Sequence, residues 1–224
     1  MNVLALDGAL NGFSTAVARA DAIAARREIL ANLALERGLG AVQSVLDEAG
    51  LEPATIDRLA VGVGPGRFTG LRIAIAYAKE LASAWRRPLL PISSFDLLEF
   101  GQTFERVLTV VVGRPGVISA RYRVAAEVRR ASGRIGEVLD AVLSQVRPFD
   151  QDDNGGKTLT VVGAAEDVLT ALAERAITVQ HVQPAVTPSA AAAALIASSR
   201  TPSGTLHEIS ADYGELPAVT IRQR

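Results

Sequence analysis

The spacing of apolar and polar residues along the chain predicts strands and helices that follow one another. A short apolar run at residues 59–63 predicts a buried strand, which the glycines and the proline after it end. Apolar residues then recur every three or four positions over about 70–84, which predicts an amphipathic helix. Thr69 is its predicted N-cap, and the pair Ser93-Ser94 is the predicted cap of a short helix at about 95–100.

A second helix is predicted at about 33–49, with Gly50 as the residue that ends it. Both long helices carry two apolar faces, although a helix that is buried on one side needs only one. Either both faces pack inside this chain, or the two helices together form a partner surface. We predict the second arrangement, and the residues expected to bind the partner are Leu35, Gly38, Ala41, Val42, Val45, Ile75, Ala78 and Ala82.

Each half of the chain is predicted to begin with two strands joined by a turn. Residues 2–6 lead to Asp7, and residues 13–18 complete a predicted hairpin. Residues 106–112 and the turn at 113–116 repeat this order. The other predicted elements are strands at 24–30, 88–92, 121–129 and 158–162, and helices at 135–145, 164–176 and 190–199.

Composition excludes several chemistries. The 224 residues are 49% hydrophobic, enough for a buried core, and carry a formal charge of -1, so no overall basic field attracts nucleic acid. No cysteine is present, and the two histidines, His181 and His207, are too scattered for a metal cluster. The N-terminus does not resemble a signal peptide and no apolar run is long enough to span a bilayer, so we expect a cytoplasmic protein with no membrane contact.

The loop between the central strand and helix is rich in glycine. Such loops often hold phosphate at the positive end of a helix. This one lacks the Gly-Lys-Ser/Thr of a phosphate loop and the spacing of a dinucleotide motif. The residues favour a packing or turn role and leave a phosphate role as the alternative.

The run GVGPGRFTGLRIAIAYAKELA, followed by a strand that ends in Ser93 and Ser94, resembles the signature of the TsaB family. Members of this family take part in making threonylcarbamoyladenosine on tRNA. The resemblance covers the first hundred residues well and the remainder loosely. The residues that carry the signature loop are Gly64, Pro65, Gly66, Phe68, Thr69, Gly70 and Arg72.

This resemblance implies an α/β fold of the actin-like, ribonuclease H-like kind, duplicated into two lobes with mixed sheets flanked by helices. We place the lobes at 1–103 and 104–224, with the helix near 188–199 packing back on the first. In such folds the position of Asp7 lies beside nucleotide phosphates. Here Gly8 and Ala9 replace the family's hydroxyl residues, so a strand-end Asp7 that bonds turn amides is favoured over nucleotide binding.

The resemblance also implies the function. We expect a non-catalytic scaffold or activator that binds a TsaD-type catalytic subunit, with a TsaE-type ATPase as a further partner and a homodimer when alone. Contact with tRNA would be indirect, and no cofactor, metal or catalytic residue is expected. The alternatives are an actin-like ATPase or kinase-like protein, with nucleotide held by Asp7 and the 64–70 loop, and a peptidase, which would need a metal site.

Overall fold

The computed structural model describes residues 1–10, 12–143, 159–163, 166–177, 179–183, 190–202 and 204–214. These residues form ten strands and six α-helices, which are listed here in chain order. The strands are β1 (Asn2–Asp7), β2 (Gly12–Arg19), β3 (Ala22–Leu30), β4 (Arg58–Gly64), β5 (Leu89–Ser93), β6 (Arg106–Arg114), β7 (Val117–Val124), β8 (Glu127–Arg134), β9 (Leu159–Val162) and β10 (Val179–Gln183). The helices are α1 (Ala34–Ala49), α2 (Phe68–Trp85), α3 (Ser94–Glu99), α4 (Ile135–Leu143), α5 (Glu166–Glu174) and α6 (Ala190–Ser199).

Two mixed sheets of five strands organise the molecule. The first has the order β3-β2-β1-β4-β5, and the second has the order β10-β9-β6-β7-β8. In each sheet the opening strand pairs antiparallel with the strand after it and parallel with a later one, β4 in the first and β9 in the second. The repeated strand order agrees with the predicted duplicated layout, while the exact boundary near residue 103 stays a prediction.

The first sheet is covered on both faces. Because successive side chains of a strand point to opposite faces, Leu4 and Leu6 face α1 and α2, whereas Val3 and Ala5 face α6. The α6 side is built largely from alanines, which allow the helix to approach the sheet closely. The central strands of this sheet are therefore buried on both sides.

The second sheet is covered differently on its two faces. One face packs against α4 and α5 through an apolar cluster that includes Leu108, Tyr122 and Leu139. The opposite face carries Thr109 and Arg121, which contact α3 from the first half of the chain. The same face carries Val107 and Val111, which are buried against Phe95 and Leu98, so a mixed face of the second sheet lies against the first half.

Several predicted elements need correction. The strand predicted at 121–129 is two strands, β7 and β8, separated by a turn that begins at Ala125 with a positive φ of 48°. The chain turns there without the glycine or proline that usually signals a turn. His181 lies within β10, and residues 187–189, whose Thr-Pro-Ser sequence predicts a cap for α6, fall outside the described part of the chain.

The helix predictions agree more closely with the structure. Helix α1 ends before Gly50, whose φ is 61°, and the hydroxyl of Ser93 caps α3 by accepting a bond from the Phe95 amide. Helix α2 starts earlier than predicted. Its N-cap is Arg67, which forms no side-chain cap bond with described residues, so the prediction of Thr69 as N-cap is wrong.

Candidate functional site

The signature loop packs against the turn that follows β1. The backbone amide of Arg67 donates to the Ala9 carbonyl oxygen at 2.6 Å. A Cβ atom at Gly66 would collide with Ala9, and one at Gly70 would collide with the Gly8 carbonyl. Both glycines therefore allow a close backbone approach, and the start of α2 faces carbonyl oxygens that would repel a phosphate.

Asp7 lies beneath this contact and is completely buried. Its Oδ2 accepts a long 3.4 Å bond from the Ala9 amide, and its Oδ1 has no partner among the described residues. Burial raises the pKa of Asp7 to about 7, because the charged carboxylate loses its hydration and the turn amides compensate only in part. A Cβ atom at Gly62 would collide with Oδ1, so β4 closes over the carboxyl group.

The outer side of the loop presents an aromatic pair. Phe68 is 47% exposed, and its ring centroid lies 4.8 Å from that of Tyr213. The Arg72 guanidinium lies 5.0 Å from the centroid of the Phe68 ring. The sequence predictions did not include Tyr213 among the site residues, although it is the one aromatic residue of the segment 200–224.

Tyr213 is held in place by the end of the described chain. The Asp212 amide donates to the Val63 carbonyl at 2.7 Å, which continues the pairing at the end of β4. Ile209 is buried in the core between the first sheet and helices α1 and α2. Residues 204–214 thus pack on the molecule, and His207 is exposed as predicted.

The predicted partner surface needs a correction. Of its eight residues only Leu35 is exposed, and the others are buried within this chain: Gly38, Ala41, Val42, Val45, Ile75, Ala78 and Ala82. A Cβ atom at Gly38 would lie 2.7 Å from the Tyr77 ring, which shows that the small-residue face makes room for α2 itself. These seven residues expose less than a tenth of their surface in the single chain, so the small-residue face can contribute little contact area to a partner.

The exposed apolar residues lie on the other face of α1. Leu35 and Leu39 are 68% and 49% exposed, and Leu30, which precedes this helix, is 67% exposed. We call these three residues the leucine surface. A pocket of about 390 Å³ begins at Leu30 and is lined by apolar side chains with two charged ones at its rim: Phe13, Ile29, Leu33, Glu28 and Arg37.

An ion network joins α3 to the second sheet. The Arg121 side chain contacts Asp96 at 2.6 Å and Glu99 at 2.9 Å, and Arg123 contacts Glu99 at 2.9 Å. The Thr109 hydroxyl also donates to Glu99. Burial raises the pKa of Asp96, but its bonds to Arg121 and Arg200 outweigh that effect and hold the pKa below its usual value.

The described residues contain no group of three His, Cys, Asp or Glu side chains placed to hold a metal ion. Among them, no helix is long and apolar enough to cross a membrane. In the α3 ion network, the carboxylates of Asp96 and Glu99 each form an ion pair with arginine.

The sequence of this chain is similar to those of proteins of tRNA threonylcarbamoyladenosine biosynthesis. The family model described as TsaD, tRNA N6-adenosine threonylcarbamoyltransferase, matches residues 28–197. The chain is 32% identical over 149 residues to the tRNA threonylcarbamoyladenosine biosynthesis protein TsaB of Escherichia coli, which covers 64% of this chain and 62% of that protein. It is 30% identical over 115 residues to TsaB of Bacillus subtilis, which covers 50% of this chain and 49% of that protein. The chain thus spans less than two thirds of the length of these curated relatives.

Among solved structures, YeaZ from Pseudomonas aeruginosa matches with a TM-score of 0.69 at 24% identity, covering 95% of this chain and 99% of that one. The two duplicated sheets and their helices define an actin-like α/β protein. The match of the family model over most of the chain identifies it further. The chain belongs to the TsaD family of that model and, within it, to the TsaB proteins.

Proposed function

We propose that this protein is a non-catalytic scaffold or activator that binds a TsaD-type catalytic subunit during formation of threonylcarbamoyladenosine on tRNA in the cytoplasm. The observation that carries the proposal is the leucine surface of a chain that belongs to the TsaB family. A TsaE-type ATPase is a further proposed partner. When the TsaD-type subunit is absent, a second copy of the chain takes its place on the same surface.

The leucine surface has the composition of a protein interface. Leu35 and Leu39 are one helical turn apart, so their side chains stand next to each other on α1. Large apolar side chains exposed together mark contact sites more often than single ones do. The adjacent pocket, with Phe13 and Ile29 in its wall, offers a place for an apolar side chain of the partner.

The non-catalytic part of the proposal rests on two sites. Asp7 is closed off by β4 and the signature loop, whose glycines are in contact with the turn after β1. The turn at 113–116, which follows β6, contains arginine, proline and glycine but no carboxylate. Neither site offers an accessible acid or base for chemistry on a substrate.

Co-purification with a TsaD-type subunit tests the proposal. The double variant L35E/L39E should lose association, because two charges would be buried without partners in the interface. Its melting temperature should stay close to that of the unmodified chain, since both residues are exposed. The control is Val128→Glu, which places a glutamate at a 50% exposed apolar residue on β8 and should leave association intact, and each of the single variants Leu35→Glu and Leu39→Glu is compared with it.

The variant Ala78→Arg tests whether the partner binds the leucine surface or the small-residue face that the sequence predicted. Ala78 has no exposed surface, so arginine there should unfold the chain instead of only dissociating it. Unchanged association of L35E/L39E would contradict the leucine surface. A stably folded Ala78→Arg chain that no longer associates would restore the small-residue face.

The actin-like ATPase alternative is favoured by one observation: Oδ1 of buried Asp7 has no hydrogen-bond partner within the described ranges. Isothermal calorimetry with ATP and magnesium tests it. We expect no binding at micromolar concentrations, because the carboxyl group is covered by β4. Binding that Asp7→Asn abolishes, together with hydrolysis, would replace the scaffold proposal with an enzymatic one.

A further inference from the structure

The formal charge of -1 conceals an uneven distribution. Residues 106–134, which form the three strands β6 to β8, contain seven arginines and one glutamate. Arg121 and Arg123 are neutralised by the α3 ion network. Arg130 and Arg134 are exposed, and neither forms an ion pair in the part of the chain that the structure describes. The Arg130 guanidinium lies 5.7 Å from the centroid of the Phe95 ring of α3, a contact that does not neutralise its charge.

These two arginines share one face of β8. Alternate residues of a strand point the same way, so Arg130, Ser132 and Arg134 form a row. Gly214 lies against this row, since a Cβ atom on it would be 3.1 Å from the Ser132 hydroxyl oxygen. Because Gly214 follows Tyr213, the end of the described chain brings the aromatic pair beside the arginine row.

Two more arginines lie next to Phe68: Arg67 precedes it in the chain, and Arg72 lies over its ring. Arg67 and Arg72 are both exposed and, within the described ranges, neither pairs with a carboxylate. Asp212 lies among these groups, and its side chain accepts a bond from the Gly214 amide. Four arginines and two stacked rings therefore share a surface that crosses from α2 to β8.

We infer that this surface binds unpaired RNA nucleotides. Guanidinium groups pair with phosphates, and exposed aromatic rings stack with bases that are free of a duplex. The combination of aromatic and basic side chains is typical of proteins that hold single-stranded nucleic acid. Phe68 keeps 47% of its surface exposed although Tyr213 and Arg72 both contact it, so a base can extend the stack.

This inference goes beyond the proposed function, in which the chain contacts a protein, and it uses no residue of the leucine surface. Loss of RNA binding would leave association with the TsaD-type subunit unaffected, and the reverse also holds. An acidic protein segment is the rival occupant. It would use the arginines but would gain little from the two rings.

Fluorescence anisotropy with a labelled single-stranded RNA of twelve mixed nucleotides tests the inference on the full chain over a range of salt concentrations. Arg134→Ala should weaken binding and reduce the salt slope by about 0.7, the value for one lost phosphate contact to a single strand. Phe68→Leu should weaken binding about tenfold with an unchanged salt slope, because it removes stacking and no charge. Melting curves verify that both variants remain folded.

Arg26→Ala is the matched control. Arg26 is an exposed arginine on β3, the edge strand of the first sheet, as Arg134 is on β8. It should bind RNA as the unmodified chain does. If Arg26→Ala weakened RNA binding as much as Arg134→Ala does, the effect would depend only on net charge. That result would overturn the inferred RNA site.

Competition with polyglutamate decides between the two occupants. At equal charge it should displace little RNA, because it offers no bases for the rings. Full displacement, an unchanged affinity of Phe68→Leu, or no RNA binding at low salt would each overturn the inference.

Discussion

The two sheets of this protein share a strand order but differ in how their faces are covered. The first is enclosed by α1 and α2 on one side and by α6 on the other, mostly through leucine, valine and alanine. The second has one fully apolar face, while its other face meets α3 through polar groups, Thr109, Arg121 and Arg123, and through an apolar cluster. That cluster joins Val107, Val111 and Val162 to Phe95 and Leu98 of α3. The comparison teaches that apolar burial positions the helices of the first sheet, whereas the contact between the second sheet and α3 adds directional polar bonds to apolar burial.

The two kinds of contact respond differently to substitution. Apolar burial is non-directional and roughly proportional to area, so a packed helix can shift slightly at modest cost. A buried ion pair stabilises little compared with apolar packing, but removal of one member leaves a charge without a partner. Glu99 is the member of the network that joins the most groups, since it contacts Arg121, Arg123 and Thr109.

Glu99→Ala is therefore the substitution expected to have the largest effect. It leaves Arg121, which is almost fully buried, without one of its two carboxylates, and it should lower the free energy of unfolding by about 3 to 5 kcal/mol. Urea denaturation monitored by circular dichroism measures this change.

The control for Glu99 is Glu48→Ala, which removes the surface pair between Arg27 and Glu48. Both of those side chains are about half exposed, so its loss should cost no more than about 1 kcal/mol. If Glu99→Ala and Glu48→Ala lowered the free energy of unfolding equally, the α3 ion network would contribute no more to stability than an ordinary surface ion pair.

The elements of the first sheet could be predicted from the sequence for the most part. Helix α1 is marked by apolar spacing and by Gly50, and α6 by its alanine run after a Pro-Ser pair. Spacing shows that a helix has two apolar faces but does not show what covers each. Gly38 and Ala78 were assigned to a partner, yet α1 and α2 pack together and on the sheet, which buries both residues.

The contacts of the second half were not predictable from local pattern. The partners Glu99 and Arg121 are separated by twenty-two residues, and nothing in their neighbourhoods marks them as a pair. The same holds for Tyr213, which meets Phe68 from the far end of the chain. The turn at Ala125 lacks glycine and proline, so periodicity merged β7 with β8.

Asp7 sharpens the comparison, because it is a buried carboxyl group within the largely apolar first sheet. Its pKa of about 7 lies above the ordinary value of 3.8, so the folded state holds the proton more tightly than the unfolded state does. Stability is then greatest below about pH 4 as far as this group is concerned, and it falls as the pH rises to about 7. Asp7→Asn removes this loss, and its advantage over the unmodified chain should grow by about 2 to 4 kcal/mol between pH 4.5 and 8.5.

Unfolding in urea at the two pH values measures the advantage of Asp7→Asn. Asp140→Asn is the control, because the pKa of Asp140 is shifted in the opposite direction from that of Asp7. The bond from Arg175 holds the pKa of Asp140 below its usual value, so this variant should gain nothing as the pH rises. An advantage of Asp7→Asn that does not change with pH would mean that the buried carboxyl stays in one protonation state.

The smallest expected effects on stability concern the first residues of helices α3 and α2. Helix α3, which carries the ion network, begins with the Ser93 hydroxyl accepting a bond from the Phe95 amide at 3.3 Å. Helix α2, which is held by apolar packing, begins at Phe68, so Thr69 lies inside its first turn. Ser93→Ala should lower the free energy of unfolding by about 1 kcal/mol, whereas Thr69→Ala should change it by less than about 0.5 kcal/mol.

Thermal and urea unfolding of the two alanine variants, measured side by side, decides between the cap predicted from sequence and the cap seen in the structure. The two substitutions both replace a hydroxyl residue near a helix start, so the difference between them isolates the cap bond. If Thr69→Ala cost as much as Ser93→Ala, Thr69 would act as the cap of α2 in solution and the helix would begin two residues later. The packing of the signature loop against Gly8 and Ala9 would then have to be looser than the structure shows, because the Arg67 amide that donates to Ala9 precedes the first turn.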